Sequence, residues 1–327
     1  SGYPMNWQQV DSRIDLQNCA IDRLEVTPEG VFLGRECFVD ISILNGSDKD
    51  TGERTITLYI DDKRQAQLVI RMKAGEHRDI PFSLPMDKEG WHNIMVEMDQ
   101  DVFPVDDYRY MVVKVPPPLK VLAVVPSQDA DSPFPYDVYI ASALKSFVAE
   151  DKLTYKVISP LELLSVNLSQ YDIVLTVKIS LGSSLPYAAK LKEFMEKGGG
   201  LVSFLPAEDA TEAGIFDVSA SVSAKPGHVN GKSLDFTFLE FMNKPDLKPE
   251  NINFTKALVF NNLGRQESRL FAEAGPIAFS RTLGNGRAVV FGFLPYQGYT
   301  DIHFNPNFVQ MLLRAFWEAR NELSSYS

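Results

Sequence analysis

Three consecutive prolines, Pro116-Pro117-Pro118, divide this chain of 327 residues between two different apolar periodicities. Proline fixes φ at about −65° and offers no backbone N–H, so the run is stiff, extended and a member of neither neighbour. Before it, apolar residues alternate over short runs. After it, continuous apolar runs alternate with helical spacing. A period change at a rigid break predicts two domains, 14–115 and 119–323 with 116–118 as linker, and the length suits two. At 45% hydrophobic residues the chain has the material for real cores.

The first stretch reads as strands alone, at 20–26, 36–44, 54–60, 66–71, 77–83, 91–98 and 107–115. In 54–60, Thr55, Thr57 and Tyr59 face one way and Ile56, Leu58 and Ile60 the other. Asp61-Asp62-Lys63 reads as a hairpin loop, and Lys73-Ala74-Gly75-Glu76 as a glycine-containing turn. Seven short strands at this spacing predict an all-β, immunoglobulin-like sandwich. Trp91 is assigned to its core. Cys19 and Cys37 fall on neighbouring strands outside any CxxC or zinc pattern. A disulfide and two buried thiols both fit, and buried thiols are preferred. Asp99, Asp101, Asp106 and Asp107 gather around one loop. Closely spaced oxygens suit calcium. The Asp-x-Asp-x-Asp-Gly order is missing, however, so the cluster is read as an acidic hairpin loop and no metal is assigned.

The second stretch alternates strand and helix. Strands are expected at 119–125, 155–159, 173–177 and 201–205. A helix over 136–150 carries the stripe Val138, Ala141, Leu144, Phe147 and Val148. Another over 186–197 buries Tyr187, Leu191, Phe194 and Met195 and ends at Gly198-Gly199-Gly200. Strand, helix, glycines and strand make a βαβ unit, which builds parallel sheet. Beyond it come a short helix at 234–242 and strands at 256–260, 268–272, 277–283 and 287–293. Gly284-Asn285-Gly286 makes the last two antiparallel. A final helix over 306–321 turns Phe308, Met311, Leu312 and Phe316 inward.

Charge narrows the function. A formal net charge of −11 argues against nucleic acid and against anionic lipid. No apolar run reaches the ~18 residues of a membrane span, and no charged-then-apolar leader opens the chain. Ser1-Gly2 has the look of an appended remnant, and the chain is expected to be a piece of a longer protein. No GxGxxG or Walker sequence occurs, and Gly198–Gly200 precede a strand rather than opening a helix. No cofactor is therefore assigned.

The succession Leu119-Lys120-Val121-Leu122-Ala123-Val124, Tyr171-Asp172-Ile173-Val174 and Leu191-x-x-Phe194-x-x-x-Gly198-Gly199-Gly200-Leu201 resembles the class I glutamine-amidotransferase-like fold, a flavodoxin-like three-layer α/β arrangement. The order of sandwich and α/β domain, closed by Tyr299-Thr300-Asp301-Ile302-x-x-Asn305-Pro306-x-Phe308-Val309, resembles the extracytoplasmic region of aerotolerance-type (Bat-like) bacterial membrane proteins. In that family a von Willebrand factor A domain precedes the sandwich. The resemblance implies the periplasmic face of a bacterial envelope, anchorage by segments outside this sequence, and other envelope proteins as partners.

In true amidotransferases a nucleophilic cysteine stands on a strained elbow after the strand that is 201–205 here. This chain has Phe204-Leu205-Pro206-Ala207. The family's His-x-Glu pair falls on Leu294 and Tyr296. The three positions Leu205/Pro206, Leu294 and Tyr296 thus lack a nucleophile, a base and a carboxylate. Ser203 is expected inside the sheet's packing, and no Gly-x-Ser-x-Gly elbow exists. Among the four histidines, His77 and His92 belong to the sandwich, and His228 and His303 to loops.

One candidate crevice remains. Ligands of open α/β sheets bind beyond the carboxyl ends of the strands. That edge carries Ser127, Gln128, Asp129, Lys178, Ser180, Glu208 and Asp209, with Asp301 and His303 in the loop before the last helix. The preferred reading is a non-catalytic envelope module for protein interaction or scaffolding. The alternatives are small-ligand sensing at this crevice and an unrecognised hydrolase.

Overall fold

A computed structural model describes residues 18–26, 36–130, 132–150, 152–208, 214–229, 251–264, 267–306 and 308–320. The chain separates into two compact units between Pro117 and Pro118. Among the described residues no helix is long and apolar enough to cross a membrane.

The first unit holds strands β1 (Cys19–Val26), β2 (Glu36–Asn45), β3 (Arg54–Ile60), β4 (Lys63–Ile70), β5 (His77–Pro85), β6 (Gly90–Met98) and β7 (Tyr108–Val115). They form two antiparallel sheets of order β1-β2-β5 and β4-β3-β6-β7. Strict alternation makes the core. Cys37, Val39, Ile41 and Ile43 of β2 are fully buried, as are Ile56 and Leu58 of β3 and Ile94 and Val96 of β6. One cluster joins both inner faces, as in a sandwich. Cys19 and Cys37 are buried free thiols, and burial pushes each up to about 11.

Three readings of this unit need correction. The β3–β4 hairpin turns on Asp61 and Asp62 alone, both left-handed at φ 48° and 64°, so β4 starts at Lys63 rather than at residue 66. Such mirror-image turns match the twist of the strands and need no third residue. Second, β7 begins at Tyr108, because Asp107 turns its side chain into the loop. Third, Trp91 is not a core residue. Ile94, Val96 and Met98 take the inner face of β6, so the period of two turns Trp91 outward, where it is 70% exposed beneath the Lys114 ammonium.

The second unit holds β8 (Leu119–Val124), α1 (Val138–Ala149), β9 (Leu153–Ile158), β10 (Ile173–Val177), α2 (Ala188–Glu196) and β11 (Gly200–Phe204). It continues with β12 (Ala220–Ser223), β13 (Gly227–His228), β14 (Asn253–Phe254), β15 (Ala257–Phe260), β16 (Ser268–Ala272), β17 (Gly275–Leu283), β18 (Gly286–Phe291) and α3 (Phe308–Ala319). Seven of these strands form one sheet of order β16-β17-β18-β11-β10-β8-β9. The five strands from β18 to β9 are parallel, and β17 and β16 run antiparallel at the edge. Counted along the chain, the parallel strands stand in the order 2-1-3-4-5. Every residue of β10 and β11 is buried, as strands covered on both faces must be.

The helix boundaries shift inward from the sequence reading, and α1 rotates. It buries Ile140 and Leu144 with Phe147 packed alongside, an i, i+4, i+7 stripe, while Val148 is 39% exposed. Of the predicted stripe, Val138, Leu144 and Phe147 face the core, while Val148 turns outward and Ile140 takes its place. The expected helix at 234–242 lies outside the described residues.

Glycine is required where α2 meets the β17–β18 hairpin. Gly198 ends α2 at φ +104°, and its N–H donates to the Met195 carbonyl. A Cβ on Gly286 would lie 2.3 Å from the Gly199 carbonyl oxygen and 2.4 Å from that of Met195. Both obstacles are backbone and cannot swing away. Gly286→Ala is therefore expected to cost about 1–3 kcal/mol by overpacking. Urea unfolding followed by hydrogen exchange checks this, with lost protection in β11 and β18 and none lost in β2.

Candidate functional site

The carboxyl ends of β8, β10, β11 and β18 share one rim, and the strand order reverses between β8 and β10. In open α/β sheets this is the place where a crevice forms. The loop after β8 brings Asp129, and the residue after β10 is Lys178. Lys178 takes a left-handed backbone, φ 57°, with its N–H bonded to the Phe204 carbonyl. A non-glycine residue there costs about 1–2 kcal/mol, so the surroundings must hold it.

They do so through its side chain. The Lys178 ammonium donates to Asp129 Oδ2 at 2.7 Å and to the Tyr136 hydroxyl at 2.7 Å, and lies 3.9 Å from Glu208 Oε1. Tyr136 also donates to Asp129, and Tyr299 donates to Glu208 at 2.6 Å. Burial works to lower the Lys178 pKa, but the bonds to Asp129 and Tyr136 outweigh it and the net shift is upward. The hydrogen bond from Lys178, then that from Tyr136, holds the Asp129 carboxyl below its ordinary value. Burial first, and the neighbouring Glu208 second, push the Tyr299 phenol up. Every charge in this group is met by a neighbour, which leaves a closed network of two carboxylates, one ammonium and two phenols.

The remaining candidate residues do not join it. Ser180 Oγ accepts from the Gly182 N–H in a local turn, and Ser127 and Gln128 are exposed. Asp209 lies outside the described residues. Asp301 accepts from the Asn253 N–H through Oδ1 and makes no pair with His303. The His303 ring stacks on Tyr139 at 3.9 Å and on Phe304 at 4.1 Å, and both ring nitrogens are buried without a hydrogen-bond partner.

At the positions where the resemblance implies a nucleophile and a base the chain is packed. Leu205, Ala207 and Leu294 are fully buried, and Leu205 N–H continues the ladder to the Phe291 carbonyl. Left-handed backbone falls on Lys178 and not on Leu205, Pro206 or Ala207. Ser203 is buried and accepts from the Thr176 hydroxyl at 2.7 Å. Tyr296 donates to the Phe134 carbonyl and packs its ring against Tyr136 and Tyr139.

A groove of about 510 Å³ lies at the other, amino-terminal ends of β10 and β11, between Asn167, Tyr171, Lys190 and Lys197. Its lysines are also engaged, Lys190 with the Leu164 carbonyl and Lys197 with Glu193. Sequence reasoning missed this groove, and it missed Tyr136 and Tyr299 as members of the rim. A tyrosine at the start of a helical pattern gives no sign that its hydroxyl meets a lysine 42 residues away.

His303 generates a pH prediction. Burial lowers its pKa from the ordinary 6.5, with Asp301 acting weakly in the opposite sense. The unfolded chain then takes up the proton first as pH falls. Stability is unaffected well above about pH 6.5, declines as pH drops through it, and stops declining below the folded pKa. Replacing His303 by Phe keeps the stacking and removes the proton. Urea midpoints of the second unit measured on both sides of this window should fall for the wild type and stay flatter for His303→Phe.

No family model and no curated protein matches the chain. Solved structures match parts of it. A CARDB domain from Pyrococcus furiosus, determined with di-metal ions, is 13% identical over 32% of this chain and 97% of its own, with a TM-score of 0.29. A domain of a putative cell surface protein from Methanosarcina acetivorans is 14% identical over 31% and 92%, with a TM-score of 0.28. A cytoplasmic protein from Salmonella typhimurium is 14% identical over 62% and 99%, with a TM-score of 0.46. Likenesses this distant are partial matches of shape and assign no activity.

Proposed function

We propose that this chain is a non-catalytic interaction module of a bacterial envelope protein, an immunoglobulin-like sandwich carried with a flavodoxin-like scaffold of the class I glutamine-amidotransferase type. The observation that carries the reading is the outer face of the sheet β4-β3-β6-β7. Trp91, Val112 and Tyr110 are 70%, 63% and 58% exposed there, with Tyr108 and Val69 also exposed on that sheet. Register places Tyr110 opposite Met95 and Val112 opposite Asn93, two residues from Trp91, so Tyr108, Tyr110 and Val112 line the outer face of β7 with Trp91 at one end. Exposed aromatic and apolar residues gathered on one sheet face mark contact sites, and Trp and Tyr are the residues that anchor them.

The α/β assignment draws support from the strand order 2-1-3-4-5. Right-handed crossovers through α1 and α2 lead to opposite sides of the first strand and put the helices on opposite faces. Leucine and tyrosine at the amidotransferase positions weigh against catalysis. The saturated rim weighs against small-ligand sensing, since a ligand would have to displace Asp129 or Tyr136 from Lys178. The envelope placement and the protein partners rest on the family resemblance.

The test is retention of envelope proteins by the immobilised chain, compared with the double variant Trp91→Ala, Tyr110→Ala. Exposed residues leave folding stability within about 0.5 kcal/mol. Anchoring aromatics remove about 2 kcal/mol or more of binding, about thirtyfold in affinity. A reproducible partner retained by the wild type and released by the folded double variant is the expected result. Equal retention by both, or no reproducible partner, contradicts the proposal.

A further inference from the structure

The loop between β6 and β7 folds back on the start of β1 and brings three carboxylates together. One oxygen from each of Asp101, Asp106 and Asp107 lies within 4.8 Å of the others. Asp101 has both oxygens engaged: Oδ2 accepts from the Cys19 N–H at 2.7 Å and Oδ1 from the Phe103 N–H at 2.8 Å. Asp107 Oδ2 accepts from the Asp101 N–H at 3.0 Å, and Asp106 Oδ2 accepts from Asn18 Nδ2 at 3.0 Å. The other oxygens of this group are different. Asn18 Oδ1, Asp106 Oδ1 and Asp107 Oδ1 are all shielded from solvent, and none has a hydrogen-bond donor.

Asp107 is the telling residue, because it is only 1% exposed. A carboxylate oxygen held out of water with no donor costs several kcal/mol unless something positive meets it. Among the described residues the cation paired with this group is Arg54, 3.5 Å from Asp101 Oδ2, and it makes no hydrogen bond to the three bare oxygens. Among the described residues three carboxylates face one guanidinium, an excess of two formal negative charges. Asp99, which the sequence groups with them, is turned away to accept from the Thr55 N–H.

From this geometry we infer that Asn18, Asp101, Asp106 and Asp107 form a calcium site at one end of the sandwich. The donors are all hard oxygens, three from the β6–β7 loop and one from Asn18 just before β1, which selects calcium over the metals that prefer nitrogen or sulfur. Oxygens sharing one calcium at about 2.3–2.6 Å lie up to about 5 Å apart, the spacing found here. A divalent ion balances the two excess charges and meets the bare oxygens at once. It also ties the β6–β7 loop to β1, so binding stabilises the sandwich and leaves the α/β unit alone.

The whole chain, stripped with chelator, is titrated with calcium chloride by calorimetry, and thermal unfolding is followed in parallel. Saturable binding is expected in the range of extracellular calcium modules, Kd about 10⁻⁴–10⁻³ M, with slower amide exchange in β1 and β7. Asp107→Asn and Asp106→Asn should each weaken binding about tenfold or more by removing a charge from the shell. Asp106, only half-buried, is the variant whose folding is not at stake. Magnesium should bind at least about tenfold more weakly, because it demands a tighter octahedron. Absence of saturable binding at about 10 mM calcium, well above that range, overturns the inference. So does calcium affinity that Asp106→Asn leaves unchanged.

Discussion

Lys178 is the residue on which the α/β unit turns. Its backbone must bend into the left-handed region at the end of β10, beside the point where the strand order reverses. That bend carries a cost, and the bonds from its ammonium to Asp129 and Tyr136 offset it. The same bonds tie the loop after β8 to the start of α1 and bring Glu208 and Tyr299 into line behind them. In folds of this shape the rim is where a protein places groups for a ligand. Here they hold one another.

The proposed non-catalytic reading draws on the positions at which the resemblance implies a nucleophile and a base. The nucleophile's position continues a buried ladder through Leu205, and the base's position is a buried Leu294. What the second unit supplies is a sheet with β10 and β11 covered throughout. Both units leave apolar side chains exposed, Leu161 and Phe304 on the α/β unit and Trp91, Tyr110 and Val112 on the sandwich, and it is on the sandwich that they share one sheet face. A division in which one domain stiffens and the other makes contact fits the proposed module.

Much of the fold was legible in the sequence because it follows from period and turn chemistry. The alternation in β2 and β3, the continuous apolar run of β10, and the Gly284-Asn285 turn between β17 and β18 all state their structure locally. The errors came where facing depends on distant packing. Val148 and Ile140 are equally apolar, and only the sheet decides which is buried. Trp91 reads as a core aromatic, although its odd position in β6 puts it on the outer face. The site was less legible still. Asp129 and Glu208 were named, but their partners Tyr136 and Tyr299 come from a helix entrance and a late loop. The acidic loop reads as an acidic hairpin because its spacing matches no calcium motif, and the fold brings Asn18, just before β1, beside it.

The claim that the rim is structural is tested most directly by the stability of Lys178→Met and of Asp129→Asn, alone and together, in urea. If the bond holds the bend, Lys178→Met lowers the unfolding midpoint of the α/β unit, and adding Asp129→Asn lowers it no further, because the interaction is already gone. A midpoint unchanged or raised by Lys178→Met, as for a residue kept for a ligand at the expense of stability, would contradict the account.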